Sequence, residues 1–397
     1  MNPASRRIPT HSSEEAQRRL AYFTERRNII VSTIRQLVEI ESPSDNKAAI
    51  DALAQTVADK FSQLGGEVRI HRTSDFGNHL QANFSGSSAR PVLLLGHYDT
   101  VYPLGTLATM PCTVAGDKLT GPGVLDMKSG IALMLHAIAA LQDWHGKEKN
   151  FALPRPVTAL LVSDEEVGSD SSRAITESLA KKSAAVLVLE PSYGPQGAVK
   201  TARKGVGEYL VQVTGKASHA GLDFEKGANA IRELARQIEK LSGFTDLKKG
   251  LTVNVGIVSG GSRTNVVPAE ASARVDVRIA RMKDAAGTDK KMRNLRPFNR
   301  KCKIEITGGI NRPPMERTAG VAALYAQAKD IARELGWNLG EAAVGGGSDG
   351  NFTAGLGIPT LDGLGGVGDG AHAIHEHILI SELPRRAALI AGLIEQA

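Results

Sequence analysis

The chain has 397 residues, 42% apolar, 23% charged and 4% aromatic, with a formal charge of +6. Such a composition is globular rather than disordered, and the length suits about two domains. The dispersed basic residues argue against a nucleic-acid surface, and two cysteines, Cys112 and Cys302, are too few for a disulfide framework or a cysteine zinc knuckle.

The first thirty residues carry arginine pairs but no apolar core of signal-peptide length, and Glu14, Glu15 and Glu25 are unlike a transit peptide. With no expected membrane-length run either, a cytoplasmic protein without membrane partners is the expectation. From about Ser13 to Leu64, apolar residues at helical spacing (Ile29, Ile30, Ile34, Leu37, Val38, then Ile50, Leu53, Val57, Phe61) predict two amphipathic helices around the turn SPSDN. Strands are expected near Glu67–Arg72 and Leu80–Phe84, then a doubly buried strand over Pro91–Gly96. The segment after Asp126, MKSGIALMLHAIAALQDW, reads as a helix with the acid at its N-terminal end. Two further apolar runs, VTALLVSD and AAVLVL, complete an α/β pattern.

Around Ala198 the pattern changes to strand, helix, two strands, helix, strand, ending in KCKIEITGG. That β-α-β-β-α-β order predicts an inserted ferredoxin-like domain. The α/β pattern then resumes with a helix over Val321–Leu335, strands in EAAVG and IPTLDGLG, and a closing helix. The expected organisation is a catalytic α/β domain with a mostly parallel sheet flanked by helices, formed by residues 1–200 and 315–397. The ferredoxin-like α+β unit, residues 201–314, is inserted between its two parts.

Three apolar strands end in potential metal ligands: His97 and Asp99, then Glu165 and Glu166, then Glu190. Chemistry in open α/β sheets gathers beyond the carboxyl ends of strands, so these side chains are expected to converge as the site of a metal-dependent hydrolase. In GHYDTVYP, His97 can bind a metal while Asp99 accepts its other ring N–H; a surface turn is the plainer alternative. Asp126 can bridge two metals through its two oxygens, or can simply cap the helix that follows. In SDEEVGS one of the adjacent acids can bind metal while the other serves as general base, against the alternative of a solvated acidic turn. The C-terminal GAHAIHEH offers His372, His375 and His377; the glycine-rich approach favours His372.

The ordered set GHYDTV, GPGVLDMKSG, SDEEVGS, LEPS, KASHAG, GGSRTNVVP, DVR, GGGSDG and GAH resembles the glutamate carboxypeptidase type of dizinc metallopeptidase. The wider family includes aminoacylases, acetylornithine deacetylase and succinyl-diaminopimelate desuccinylase. The resemblance implies that His97 and Glu190 hold one zinc, Glu166 and His372 the other, and Asp126 both, with a cis peptide between Asp126 and Met127. Cobalt and manganese are alternative metals. It makes Glu165 the general base for attack by a metal-bridged hydroxide, and Asp99 the partner of His97. It also implies a homodimer through the inserted lid domain, with His219 contributed to the partner's site. Asn265 and Arg278 would hold a substrate carboxylate, with Arg312, Gly347 and Ser348 as further contacts. The implied substrate is a small peptide or N-acyl amino acid with a free C-terminal carboxylate, so a carboxypeptidase, with deacylase or desuccinylase activity as the alternative. A remote alternative is a serine hydrolase, because Gly346–Gly350 spells a nucleophile elbow around Ser348, followed by Asp362 or Asp369 and then His372.

Overall fold

The computed structural model describes residues 10–145 and 153–396, with side chains from residue 14. The extreme N-terminus, where no signal-peptide core is expected, lies largely outside the described residues. The chain forms two compact units: Met1–Thr201 with Arg317–Ala343 and Ser348–Ala397, and Ala202–Glu316 with Val344–Gly347.

In the first unit, six strands form one sheet in the order Glu67–His71, His79–Phe84, Val157–Val162, Val92–His97, Ala185–Val188, Thr360–Leu361. The last four run parallel to one another, and the first two are antiparallel, so the sheet is mixed. Val92–His97 and Val157–Val162 are buried at every position, as continuous apolar runs in a sheet covered on both faces should be. Helices pack on this sheet: Arg27–Val38, Lys47–Gln63, Ser129–His145 and Leu383–Gln396 all contribute to its main apolar core.

Three details depart from the sequence-based expectation. The region before the SPSDN turn holds two helices, Thr10–Glu25 and Arg27–Val38, broken at Arg26. Segment Val124–His145 is long and apolar enough by composition to cross a membrane, but most of it is buried: it is the core helix, apolar all round because protein surrounds it. A small sheet, in the order Gly368–Asp369, His377–Leu379, Lys118–Thr120, Thr113–Ala115, was also unexpected. Strands of two or three residues are too short to show alternation.

The second unit has strand Gly205–Thr214, helix Ala230–Ser242, strands Thr252–Gly260 and Glu270–Ile279, helix Ala285–Arg293 and strand Lys303–Arg312. Its four strands are antiparallel in the order Thr252–Gly260, Glu270–Ile279, Gly205–Thr214, Lys303–Arg312, a ferredoxin-like arrangement with a core of its own.

Candidate metal centre

Parallel register brings three strand ends together. His97 pairs with Val162 and Leu95 with Val188, so Val157–Val162, Val92–His97 and Ala185–Val188 finish at one edge of the sheet. The residues just beyond them, Glu165, Glu166 and Glu190, therefore lie around His97. Asp126 arrives from the start of the core helix. There, Gly130 permits a close approach, since a Cβ on it would stand 2.0 Å from the Leu189 carbonyl oxygen. Asp126 and Met127 leave helical geometry (φ −113°, ψ 94° and φ −133°, ψ 39°), and the peptide between them is cis, as the resemblance implied. His372 comes from the loop joining the antiparallel strands Gly368–Asp369 and His377–Leu379, with a left-handed backbone (φ 63°).

The two histidines face opposite oxygens of one carboxylate. His97 Nε2 lies 3.1 Å from Asp126 Oδ1 and 3.4 Å from Glu190 Oε1, whereas His372 Nε2 lies 3.6 Å from Asp126 Oδ2 and 3.2 Å from Glu166 Oε1. Ligand atoms of His97, Asp126 and Glu166, and of His97, Glu165 and Glu190, form two groups in which all lie within 4.8 Å of one another. Two ligands on a tetrahedral ion at about 2.0–2.1 Å stand about 3.3 Å apart, so this donor set and its spacing fit divalent metal ions. His97 Nδ1–H donates to the Asp99 main-chain carbonyl (3.0 Å), with Asp99 Oδ1 at 3.4 Å, leaving Nε2 to face the carboxylates.

The electrostatics follow from four carboxylates, Asp99, Asp126, Glu166 and Glu190, against two imidazoles. Burial alone would lower the His97 pKa, yet its contacts with Asp126, Asp99 and Glu190 hold it well above the ordinary histidine value. Asp126 and Glu166 raise His372 to about 10. Burial would raise Asp126, but His372 and His97 outweigh it and hold the carboxyl below its ordinary value; for Glu166 burial wins, and its pKa is raised. The cluster attracts positive charge, whether proton or metal.

Asp99 does more than its expected part beside His97, and two further supporting residues, Asp164 and Glu376, were not singled out in the sequence. Asp99 accepts the main-chain N–H groups of Glu165 (3.3 Å) and Glu166 (3.2 Å) and the Ser44 hydroxyl (2.8 Å), so it orders the acid pair as well as His97. Asp164 accepts from Ser171 N (2.8 Å) and Oγ (2.7 Å) and so braces the same turn. Glu376, hidden among the histidines of GAHAIHEH, is fully buried beneath the Asp126 turn. His375 is exposed and His377 half-buried; the two metal-ligand groups contain none of this loop's three histidines, and His372 is the one placed against Asp126 and Glu166.

The other predicted residues lie mainly in the second unit. His219 is exposed on a short strand paired with Val266–Val267, and the Ala220 N–H donates to the Asn265 carbonyl. Gly221 and Leu222 N–H groups donate to His219 Nδ1 (3.1 and 3.2 Å), so the neutral ring carries its proton on Nε2. Asn265 is exposed, while Arg278 makes a two-pronged contact with Asp276 (Nε 2.9 Å, Nη2 2.9 Å). Arg312 is buried at the end of its strand, and the Gly347 carbonyl accepts from Arg203 (3.1 Å).

Ser348 is engaged within the chain. Its N–H donates to Asn351 (2.9 Å), and its fully buried hydroxyl donates to Asp362 (2.6 Å). His372, which a serine triad would need beside it, faces Asp126 and Glu166 instead. That removes the serine-hydrolase alternative.

A mixed α/β sheet whose parallel strand ends deliver histidine and carboxylates to one cluster defines a metal-dependent hydrolase. The chain belongs to peptidase family M20/M25/M40, whose sequence model matches residues 93–396. Carboxypeptidase G2 of Pseudomonas sp. (strain RS-16) is 32% identical over 380 residues, 94% of this chain and 90% of that protein. An M20 family metallo-carboxypeptidase, Sso-CP2, from Sulfolobus solfataricus has a similar structure (TM-score 0.72, 18% identity, covering 92% of this chain and 98% of that one). So does the YXEP protein of Bacillus subtilis, described as a dinuclear metal binding peptidase (TM-score 0.68, 15% identity, covering 94% and 98%). The chain is a metallopeptidase.

Proposed function

We propose that the chain is a carboxypeptidase-like enzyme that hydrolyses the amide bond of a small peptide or N-acyl amino acid with a free C-terminal carboxylate. The observation that carries this reading is Asp126, whose two oxygens face different histidines, 3.1 and 3.6 Å away. In this reading His97 and Glu190 would hold one divalent ion and Glu166 and His372 the other, with Asp126 available to both. Zinc suits the mixed imidazole and carboxylate donors, with cobalt or manganese as alternatives. A divalent ion bound there would supply Lewis-acid polarisation of the scissile carbonyl and would lower the pKa of water to about 7. Glu165 takes the proton from the attacking water on its carboxylate and returns it to the leaving nitrogen. Asp99 holds the Glu165 and Glu166 main-chain N–H groups, so base and ligand keep distinct directions.

The second unit supplies substrate recognition in this proposal. His219, protonated on Nε2, is a ready donor for the oxyanion, contributed to the partner subunit of a homodimer. Asn265 and Arg278 bind the substrate carboxylate; Arg278 exchanges Asp276 for it. Arg312 and Gly347 flank that site. The dimer reading is supported by the edge strand Thr252–Gly260, which has one neighbour among the described residues and carries Ile257 and Val258 at 61% and 55% exposure. Two free cysteines suit a cytoplasmic location.

The test is hydrolysis of dipeptides, N-acetyl and N-succinyl amino acids by chelated protein restored with zinc, cobalt or manganese. Cleavage of substrates with a free terminal carboxylate, lost on amidation of that carboxylate, is expected. Full activity on amidated substrates would refute the carboxylate requirement.

A further inference from the structure

We propose that Glu376 is a positioning residue, whose buried carboxylate holds in register the segments that present Asp126 and His372. The inference rests on the metal-centre reading above. Oε1 of Glu376 accepts the main-chain N–H groups of Leu125 (2.7 Å) and Asp126 (3.0 Å). Its Oε2 accepts the N–H of Gly123 (3.2 Å) and the hydroxyl of Tyr102 (2.6 Å). That hydroxyl also lies 3.0 Å from the carbonyl of Ala373, the neighbour of His372. One side chain thus ties together the loop after Asp99, the turn bearing Asp126 and the loop bearing His372.

The chemistry requires a carboxylate. The backbone is irregular here, with Gly123 left-handed and Asp126 outside helical geometry; the Val124 N–H donates to the Gly121 carbonyl, whereas those of Gly123, Leu125 and Asp126 donate to this carboxylate, and each buried donor left unpaired costs about 1–3 kcal/mol. A carboxylate only accepts, whereas the amide of glutamine would turn its NH₂ towards donors. The placement is set by strand register: His377 pairs with Thr120, so Glu376 sits beside the chain leading into the Asp126 turn. Because Asp126 must present one oxygen to each histidine, a small shift of its backbone would favour one at the expense of the other.

The experiment uses the full chain, stripped with a chelator, as wild type, Glu376→Gln and Tyr102→Phe. Cobalt(II) is titrated, followed by calorimetry and by its visible absorption bands, and melting of the metal-free proteins is recorded separately. We expect Glu376→Gln to bind cobalt about 10–100-fold more weakly with altered bands, and Tyr102→Phe to shift in the same direction by less. Wild-type cobalt affinity and bands in Glu376→Gln, even with a lowered melting temperature, would show a merely structural residue and overturn the proposal. If Glu376→Gln does not fold, unchanged cobalt affinity in Tyr102→Phe overturns it. A wild-type protein that binds no cobalt would instead refute the metal-centre reading itself.

Discussion

At the residue scale, the site depends on what each polar atom faces. Glu165 and Glu166 are adjacent in sequence, yet His372 faces Glu166, and Glu165 groups with His97 and Glu190. The two acids can therefore carry different roles. Glu165→Gln is expected to keep wild-type metal stoichiometry while turnover falls by about 10²–10⁴. Metal analysis beside steady-state kinetics checks this, and near-normal turnover would reassign the base. The strand-end acids were legible because apolar runs stop at them. Glu376 was not, because a buried acid beside three histidines looks like any loop residue until its four donors are seen.

Elements impose the second level of constraint. The core helix starts so close to the end of strand Ala185–Val188 that Gly130→Val would drive side-chain carbon into the Leu189 carbonyl. A loss of about 2–4 kcal/mol is expected in urea unfolding, and a stability loss below about 0.5 kcal/mol would contradict the packing described. On the same helix, His136 is mostly buried, with its Nε2 2.9 Å from the Thr33 hydroxyl; burial, then Lys60 and Arg26, lower its pKa to about 4. The unfolded chain, with histidine near 6.5, takes up this proton first. The stability from a neutral His136 is therefore complete above about pH 6.5 and is lost as pH falls towards 4, by up to about 3 kcal/mol. Comparing wild type with His136→Gln by denaturant titration across that window should show the wild type losing more; parallel curves would refute it. Helices and doubly buried strands were readable from periodicity. The small sheet bearing His372 was not, since its strands are two or three residues long.

For the whole molecule, metal and assembly are the measurable consequences. Ions that bind only the folded state stabilise it by about 4 kcal/mol at a thousand times the dissociation constant. Chelation is expected to abolish activity and lower the melting temperature, and added zinc to restore both; a melting temperature indifferent to metal would count against the centre. The apolar edge strand of the second unit predicts a dimer in sedimentation. Ile257→Asp with Val258→Asp should yield a folded monomer with reduced activity, because His219 would no longer reach a partner's site. A wild-type chain that sediments as a monomer would rule out that arrangement.

The sequence alone determined the strand-end chemistry, the ferredoxin-like order of the second unit and the motif set that marks the family. Those signals are local: apolar runs, turn residues and short spacings survive without knowledge of what packs where. Only the tertiary structure decided that Asp126 faces two histidines, that Ser348 is committed to Asp362, and that Glu376 lies beneath the Asp126 turn. Those facts depend on strand register and on contacts between residues up to 250 positions apart, such as Asp126 and Glu376, which no local pattern encodes.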